Sequence, residues 1–202
     1  MRILVLRPVP VLAMVLTSVL FVPTGAAAQD EDDPARRPSP IGIARTHIGE
    51  AYVKVTYGRP YVRGRAIFGP DTTHLVPFGR VWRTGANEAT EVTFTRPMNV
   101  GGMRLDAGTY AVFTVPGADE WEIRVSPQLG LDGTGSLDAA TGQFTADVYD
   151  PERDVAVFTV PAEPADDVVD PFTMEFESTD RGADLVLRWE RTEVRIPFEP
   201  AG

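Results

Sequence analysis

Apolar residues recur at every second position in short runs along most of this chain, and that period constrains its fold more than any other feature. Val53, Val55 and Tyr57 share one face of "AYVKVTY", with Lys54 and Thr56 on the other. Trp121, Ile123 and Val125 alternate with Glu122 and Arg124, and Phe172, Met174 and Phe176 alternate with Thr173 and Glu175. Leu185, Leu187 and Trp189 face away from Asp184, Arg188 and Glu190, and Val194, Ile196 and Phe198 repeat the pattern. Such runs, rich in Val, Thr and aromatics, are half-buried strands. Asn99-Val-Gly-Gly, Asp106-Ala-Gly, Pro116-Gly-Ala-Asp and Asp180-Arg-Gly supply turns between them. No long stretch carries a capped 3.6-residue period, so helix is limited to a turn or two, near Ser136–Ala140. The pattern predicts an all-β domain, an antiparallel β-sandwich of about eight to eleven short strands. "TYAVFTV" (109–115) and "VAVFTV" (155–160) are apolar on both faces and are expected to be central and covered. The last two runs, separated by Glu190–Thr192, are expected to form a hairpin.

Residues 1–28 have the pattern of a cleaved secretory signal. Arg2 and Arg7 precede the apolar run "VLAMVLTSVLFV", and Ala26–Ala28 is a small-residue cleavage site. The run is short for a membrane span of roughly 20 residues, so no membrane insertion is expected after cleavage. The expected location is the periplasm or the medium. Residues 29–40, "QDEDDPARRPSP", look like a disordered leader. Residues 41–198 form one domain, with a short tail at 199–202. The sequence has no Cys, which removes disulfides, thiol catalysis and thiolate metal sites. Without the signal, about 174 residues remain with a net charge near −12, enough chain to bury roughly 70% of its unfolded surface. That acidity repels nucleic acid and anionic lipid.

One stretch departs from the strand-and-turn pattern. "VPFGRVWRTGANEAT" (76–90) crowds Trp82, Arg83, Asn87 and Glu88 beside Gly79 and Gly85. If Val81 and Arg83 share one face of a short strand, Trp82 points the opposite way. An inward Arg83 needs a carboxylate, because an unpaired buried charge costs several kcal/mol, and Glu88 is the nearest. Asn87 suits a turn, through a positive φ or a bond to backbone. Two readings follow. In one the stretch is a charge-locked corner. In the other Trp82 is a stacking platform for a sugar or peptide, with the polar residues as contacts. Just upstream, "YGRPYVRGRAIFG" carries Arg59, Arg63 and Arg65 in an otherwise acidic chain. They form either a carboxylate or anion clamp or ion pairs with surplus Asp and Glu.

"GRAIFG" (64–69) followed by "LVPFGRVWRTGANEAT" (75–90) closely resembles the bacterial exported family called domain of unknown function 2911. "AGTYAVFTVPGADEW" (107–121) and "LVLRWERTEVRIPF" (185–198) are similar to it as well. The resemblance spans roughly residues 41–198. It departs after the strand that begins at Trp121, where family members show an Asn and then a Trp. It implies an exported β-rich domain, supplies no activity, and draws attention to Arg59, Gly64, Arg65, Trp82, Arg83, Asn87 and Glu88.

The remaining chemistry is sparse. His47 and His74 are the two histidines, without metal-ligand spacing. His74 lies near Asp71, so a His–Asp dyad is conceivable, but no nucleophile motif accompanies it. Asp132, Thr134, Ser136 and Asp138 alternate loosely like a calcium loop, yet lack its central Gly and terminal Glu. "DVYDPERD" (147–154) is a second acidic turn, and both are expected to be solvated. No cofactor is implied beyond that weak calcium pattern. The functional expectation is a non-catalytic binding or structural module of the cell envelope, with an unknown small molecule, glycan or peptide as ligand. The alternative is a glycan- or peptide-directed hydrolase using Glu88 as acid/base.

Overall fold

The structure, a computed structural model, describes residues 38–131, 136–137, 144–145 and 149–202. The readings made on residues 1–37 therefore lie outside the described residues, as do those on the calcium-like side chains from Asp132 to Asp138.

The chain is all β, with one 3-10 turn at Pro151–Arg153 among the described residues. Strands β1 (Ile41–Ile48) and β2 (Ala51–Gly58) form a hairpin. β2 pairs with β5 (Thr90–Phe94), β5 with β8 (Gly108–Pro116), and β8 with β9 (Glu120–Ser126). β12 (Ala156–Ser178) pairs with β9 through Ala156–Pro161 and then with β13 (Ala183–Pro200) from Ala162 onward. β13 continues to β6 (Met98–Val100) and β7 (Met103–Leu105). These nine strands make one unbroken antiparallel sheet. Two small pairs stand outside it: β3 (Phe68–Gly69) with β4 (Val76–Pro77), and β10 (Ser136–Leu137) with β11 (Phe144–Thr145).

The sheet folds over at β12 and β13. Register shifts in β12 fall between Pro164 and Thr173, and Glu190 opposite them adopts φ 51. A bulge bends the strand that carries it, and Tyr57 of β2 packs against Phe172 of β12 and hydrogen-bonds to Met174 O. Val53, Val92, Phe94, Ile123, Leu185, Leu187, Ile196 and Phe198 are buried in one core. The alternation that predicts strands also predicts which residues point inward, because successive side chains leave opposite faces.

Three details differ from expectation. No hairpin separates Trp189 from Val194: β13 continues unbroken through Glu190, because a single residue with positive φ makes a bulge rather than a turn. The run at 155–160 is covered on one face only, with Val155 and Val157 exposed by 45% and 41%. β-branched residues look alike in sequence whether a strand face is covered or open. The 109–115 run is buried on both faces. Val112 enters the main core, while Ala111 and Phe113 join a second, smaller cluster with Ala89 and Tyr149. Third, Ser136 and Leu137 are strand rather than helix.

The candidate cleft

The stretch at 76–90 is fixed to β8, an inner strand of the sheet. Trp82 N donates to Thr114 O at 2.7 Å, and Thr114 N returns to Trp82 O at 2.9 Å. Val81 packs on the smaller cluster and Trp82 enters the main core, so the two do point opposite ways. Trp82 is 8% exposed. One face stacks on Trp189, with centroids 5.9 Å apart, and its Nε1 donates to Gly85 O at 3.1 Å. It is a buried plate, not an open platform for a sugar ring.

Beyond Trp82 the chain turns sharply through Thr84 (φ 56), Gly85 and Asn87 (φ 64). A β-branched residue at positive φ is an outlier, costing on the order of 1–3 kcal/mol. Thr84 is held there by hydrogen bonds: its Oγ1 donates to Thr114 Oγ1 at 3.2 Å, and its carbonyl accepts from Thr90 Oγ1 at 2.6 Å. Asn87 combines both features expected of it, since its Nδ2 also donates to Ser39 O at 3.0 Å. Glu88 is exposed and Arg83 half-buried.

A cleft of about 360 Å³ opens beside this corner. Arg63, Arg65, Arg83 and Asn87 line it, Tyr61, Leu75 and Val76 add apolar wall, and Trp82 and Trp189 contribute to its floor. Arg65 donates to Tyr61 O at 2.6 Å and to Val62 O at 3.1 Å. Arg63 donates to Pro38 O at 2.9 Å and lies 5.8 Å from the centre of the Tyr61 ring. Asp170 on β12 steadies this loop by accepting from Val62 N at 3.0 Å. Carbonyls orient a guanidinium without cancelling its charge. Among the described residues neither Arg63 nor Arg65 is in an ion pair, whereas Arg124, Arg188 and Arg195 all are. No acidic residue lines the cleft among the described residues.

The other candidates lie elsewhere. Arg59 spans to β12, donating to Phe172 O at 3.3 Å and to Thr173 Oγ1 at 3.1 Å. It is a clip between the halves of the fold, outside the cleft lining. Glu88 borders an adjoining cleft of about 280 Å³ with Glu91 and Tyr57, and Asn87 lies on both. Burial raises the Tyr57 phenol above its ordinary value, and Met174 N donates to that oxygen at 2.8 Å. His74 Nδ1 does meet Asp71 Oδ1, at 3.0 Å, and the same oxygen accepts from Thr73 N and Thr73 Oγ1. The loop is a local turn, and these hydrogen bonds to Thr73 hold the Asp71 carboxyl below its usual value. His47 packs against Tyr52 on the β1–β2 hairpin.

One part of the second acidic turn is buried rather than solvated. The Asp154 side chain is 2% exposed and accepts from Arg124 Nη1 at 2.9 Å and from the Tyr149 hydroxyl. Burial, then the Asp154 carboxylate, push the Tyr149 phenol well above its ordinary range. Asp150 caps the short 3-10 turn, its Oδ1 accepting from Glu152 N at 3.0 Å. Among the described residues no group of three or more His, Asp or Glu is placed to hold a metal.

Fold and cleft together define an all-β domain with an arginine-lined cleft over a tryptophan floor. Residues 39–198 match the family described as "Protein of unknown function (DUF2911)", and the chain belongs to that family. No curated protein and no solved structure matches it.

Proposed function

We infer that this chain is an exported, non-catalytic binding module whose arginine-lined cleft takes a small anion-bearing molecule, glycan or peptide. The observation that carries the binding reading is the state of Arg63 and Arg65. In a chain of net charge −10 their hydrogen bonds go, among the described residues, to carbonyls alone, and no described acidic residue lines the cleft they border. A purely architectural arginine in such a chain has many carboxylates to pair with. Export rests on the signal-like pattern of residues 1–28. The test is calorimetric titration with acetate, phosphate and a panel of glycans and peptides. The Arg63→Gln/Arg65→Gln double variant should lose at least about tenfold in affinity for whatever binds, with its melting temperature kept. Wild-type affinity in the variant would sink the reading.

A hydrolase is the second reading, favoured by Glu88 and Glu91 bordering one cleft. Paired carboxylates are the machinery of glycoside hydrolysis. It predicts turnover of some glycan or peptide that Glu88→Gln abolishes. No turnover by the wild-type protein across such a panel removes it.

A further inference from the structure

Trp189 comes to the arginine-lined cleft from β13, far along the chain from the other lining residues. It is 1% exposed, and its Nε1 is buried with no acceptor among the described residues. Its ring neighbours are Trp82, Phe68 and Phe172, at 5.9, 5.8 and 5.7 Å between centroids. An aromatic face is at most a weak acceptor. Buried indole N–H groups nearly always have a partner, as Trp82 has in Gly85 O. Trp189 lines the cleft, so an acceptor that fills the cleft comes against this residue.

We propose that Trp189 Nε1 is a recognition donor for a neutral carbonyl oxygen, and that the ligand is an acylated amino acid or a peptide C-terminus. The proposal rests on the anion-binding reading of this cleft. Its donors are of two kinds at two depths. Arg63 and Arg65 are exposed at the rim, where a carboxylate can pair with them and keep part of its hydration. The floor is aromatic and suits an uncharged acceptor. Tyr61, Leu75 and Val76 supply an apolar wall for a side chain between the two. A volume of about 360 Å³ falls in the range of small-ligand pockets. Inorganic phosphate satisfies the rim and leaves the floor empty. A sugar brings several hydroxyls to an aromatic floor that cannot satisfy them.

The experiment follows the Trp189 indole proton in the ¹⁵N-labelled protein, assigned by the peak lost in Trp189→Phe. N-acetyl-L-leucine should bind and move that proton downfield as it gains an acceptor. The acid 4-methylpentanoate keeps the carboxylate and the branched chain but lacks the amide carbonyl. It should bind about tenfold more weakly and leave the proton unmoved. Trp189→Phe should reduce affinity for N-acetyl-L-leucine alone. N-acetyl-alanyl-alanyl-leucine binding more tightly than N-acetyl-L-leucine supports a peptide C-terminus, and the reverse order supports a free acylated amino acid. If both acids bind equally through Arg63 and Arg65 with the indole unmoved, the donor role is overturned while the anion cleft stands. If phosphate alone binds, the carboxylate class is overturned. If neither acid nor phosphate binds, the anion reading fails with it. Should Trp189→Phe fail to fold, nuclear Overhauser contacts to the Phe172 ring assign the Trp189 indole proton in the wild-type protein, and its shift decides.

Discussion

Replacing Gly58 by Ala probes whether the corner at 82–87 depends on direct backbone contact with the end of β2. A Cβ at Gly58 would lie 1.9 Å from Ala86 O, 2.7 Å from its carbonyl carbon and 3.0 Å from its nitrogen. These are backbone atoms, so no side chain can swing aside. The Ala86 carbonyl would have to retreat by about 1 Å, an overpacking that costs about 1–3 kcal/mol. In a domain of this size 1 kcal/mol shifts Tm by about 2–4 °C, so the cost of about 1–3 kcal/mol should lower Tm by about 2–12 °C. Asn87, next in the chain, borders both clefts and would move with it. Gly64→Ala is the control. Gly64 has φ +71, and a methyl added there would meet nothing within 4 Å, so that change should cost about 1 kcal/mol through the backbone alone. The assay is thermal unfolding by circular dichroism, with the near-ultraviolet tryptophan bands read in parallel. Gly58→Ala should lower Tm and alter those bands, and Gly64→Ala should only lower Tm slightly. If Gly58→Ala melts within about 1 °C of wild type with unchanged bands, the corner is not seated on β2 in the way the geometry requires.

Asp154→Asn strips the buried partner from Arg124, and because that arginine is itself 21% exposed the cost should be about 2–3 kcal/mol in urea unfolding; no change would mean the pair is energetically idle. Glu177 is held below its ordinary pKa by hydrogen bonds from Arg188 and Arg195. Its folded value lies below the unfolded one, so its contribution is full above about pH 5 and is lost as pH falls through the folded value. The urea midpoint should drop on acidification, and Arg188→Met should flatten that drop; equal slopes would refute the linkage. Glu190→Gly should raise stability by about 1 kcal/mol, because it relieves a positive φ of 51; a loss of that size would show that the Glu side chain outweighs the strain.

Much of the fold is legible at β2, β9 and β13, where alternate residues are apolar and alternate residues are buried. Legibility fails where sequence signals are degenerate. Arg191-Thr looks like a hairpin turn, but Glu190 takes up the positive φ as a bulge and the strand runs on. "DVYDPERD" looks like a solvated turn, yet Asp154 reaches in to Arg124, a partner 30 residues earlier. The candidate cleft is half legible for the same reason. Arg63, Arg65, Arg83 and Asn87 lie within one short stretch of chain, so their convergence could be expected. Arg59 stands in that stretch too, but a β12 carbonyl and hydroxyl capture it. Trp189 is in a run that looks like ordinary strand. Only the tertiary fold brings it to the same cleft as the arginines, and no local pattern announces that its N–H will lack an acceptor among the described residues.

Backbone strain adds an argument independent of charge. Among the described residues four non-glycines have positive φ: Arg63, Thr84, Asn87 and Glu190. Arg63 and Asn87 line the arginine cleft, Thr84 follows Arg83 on its wall, and Glu190 follows Trp189 on its floor. A chain with 18 glycines has the means to relieve such positions. It instead ties Thr84 to Thr90 and Thr114, Asn87 to Ser39 and Arg63 to Pro38. Each tie fixes the direction of a side chain that borders the cleft or of its immediate neighbour. A bulge has the same effect on a strand, re-aiming the residues beside it, and the bulge at Glu190 sits against Trp189. A corner needed only for packing gains nothing from aiming polar groups at a cavity. A corner that presents guanidiniums at a rim above a fixed indole gains orientation, at a cost in stability that the regular sheet around it offsets.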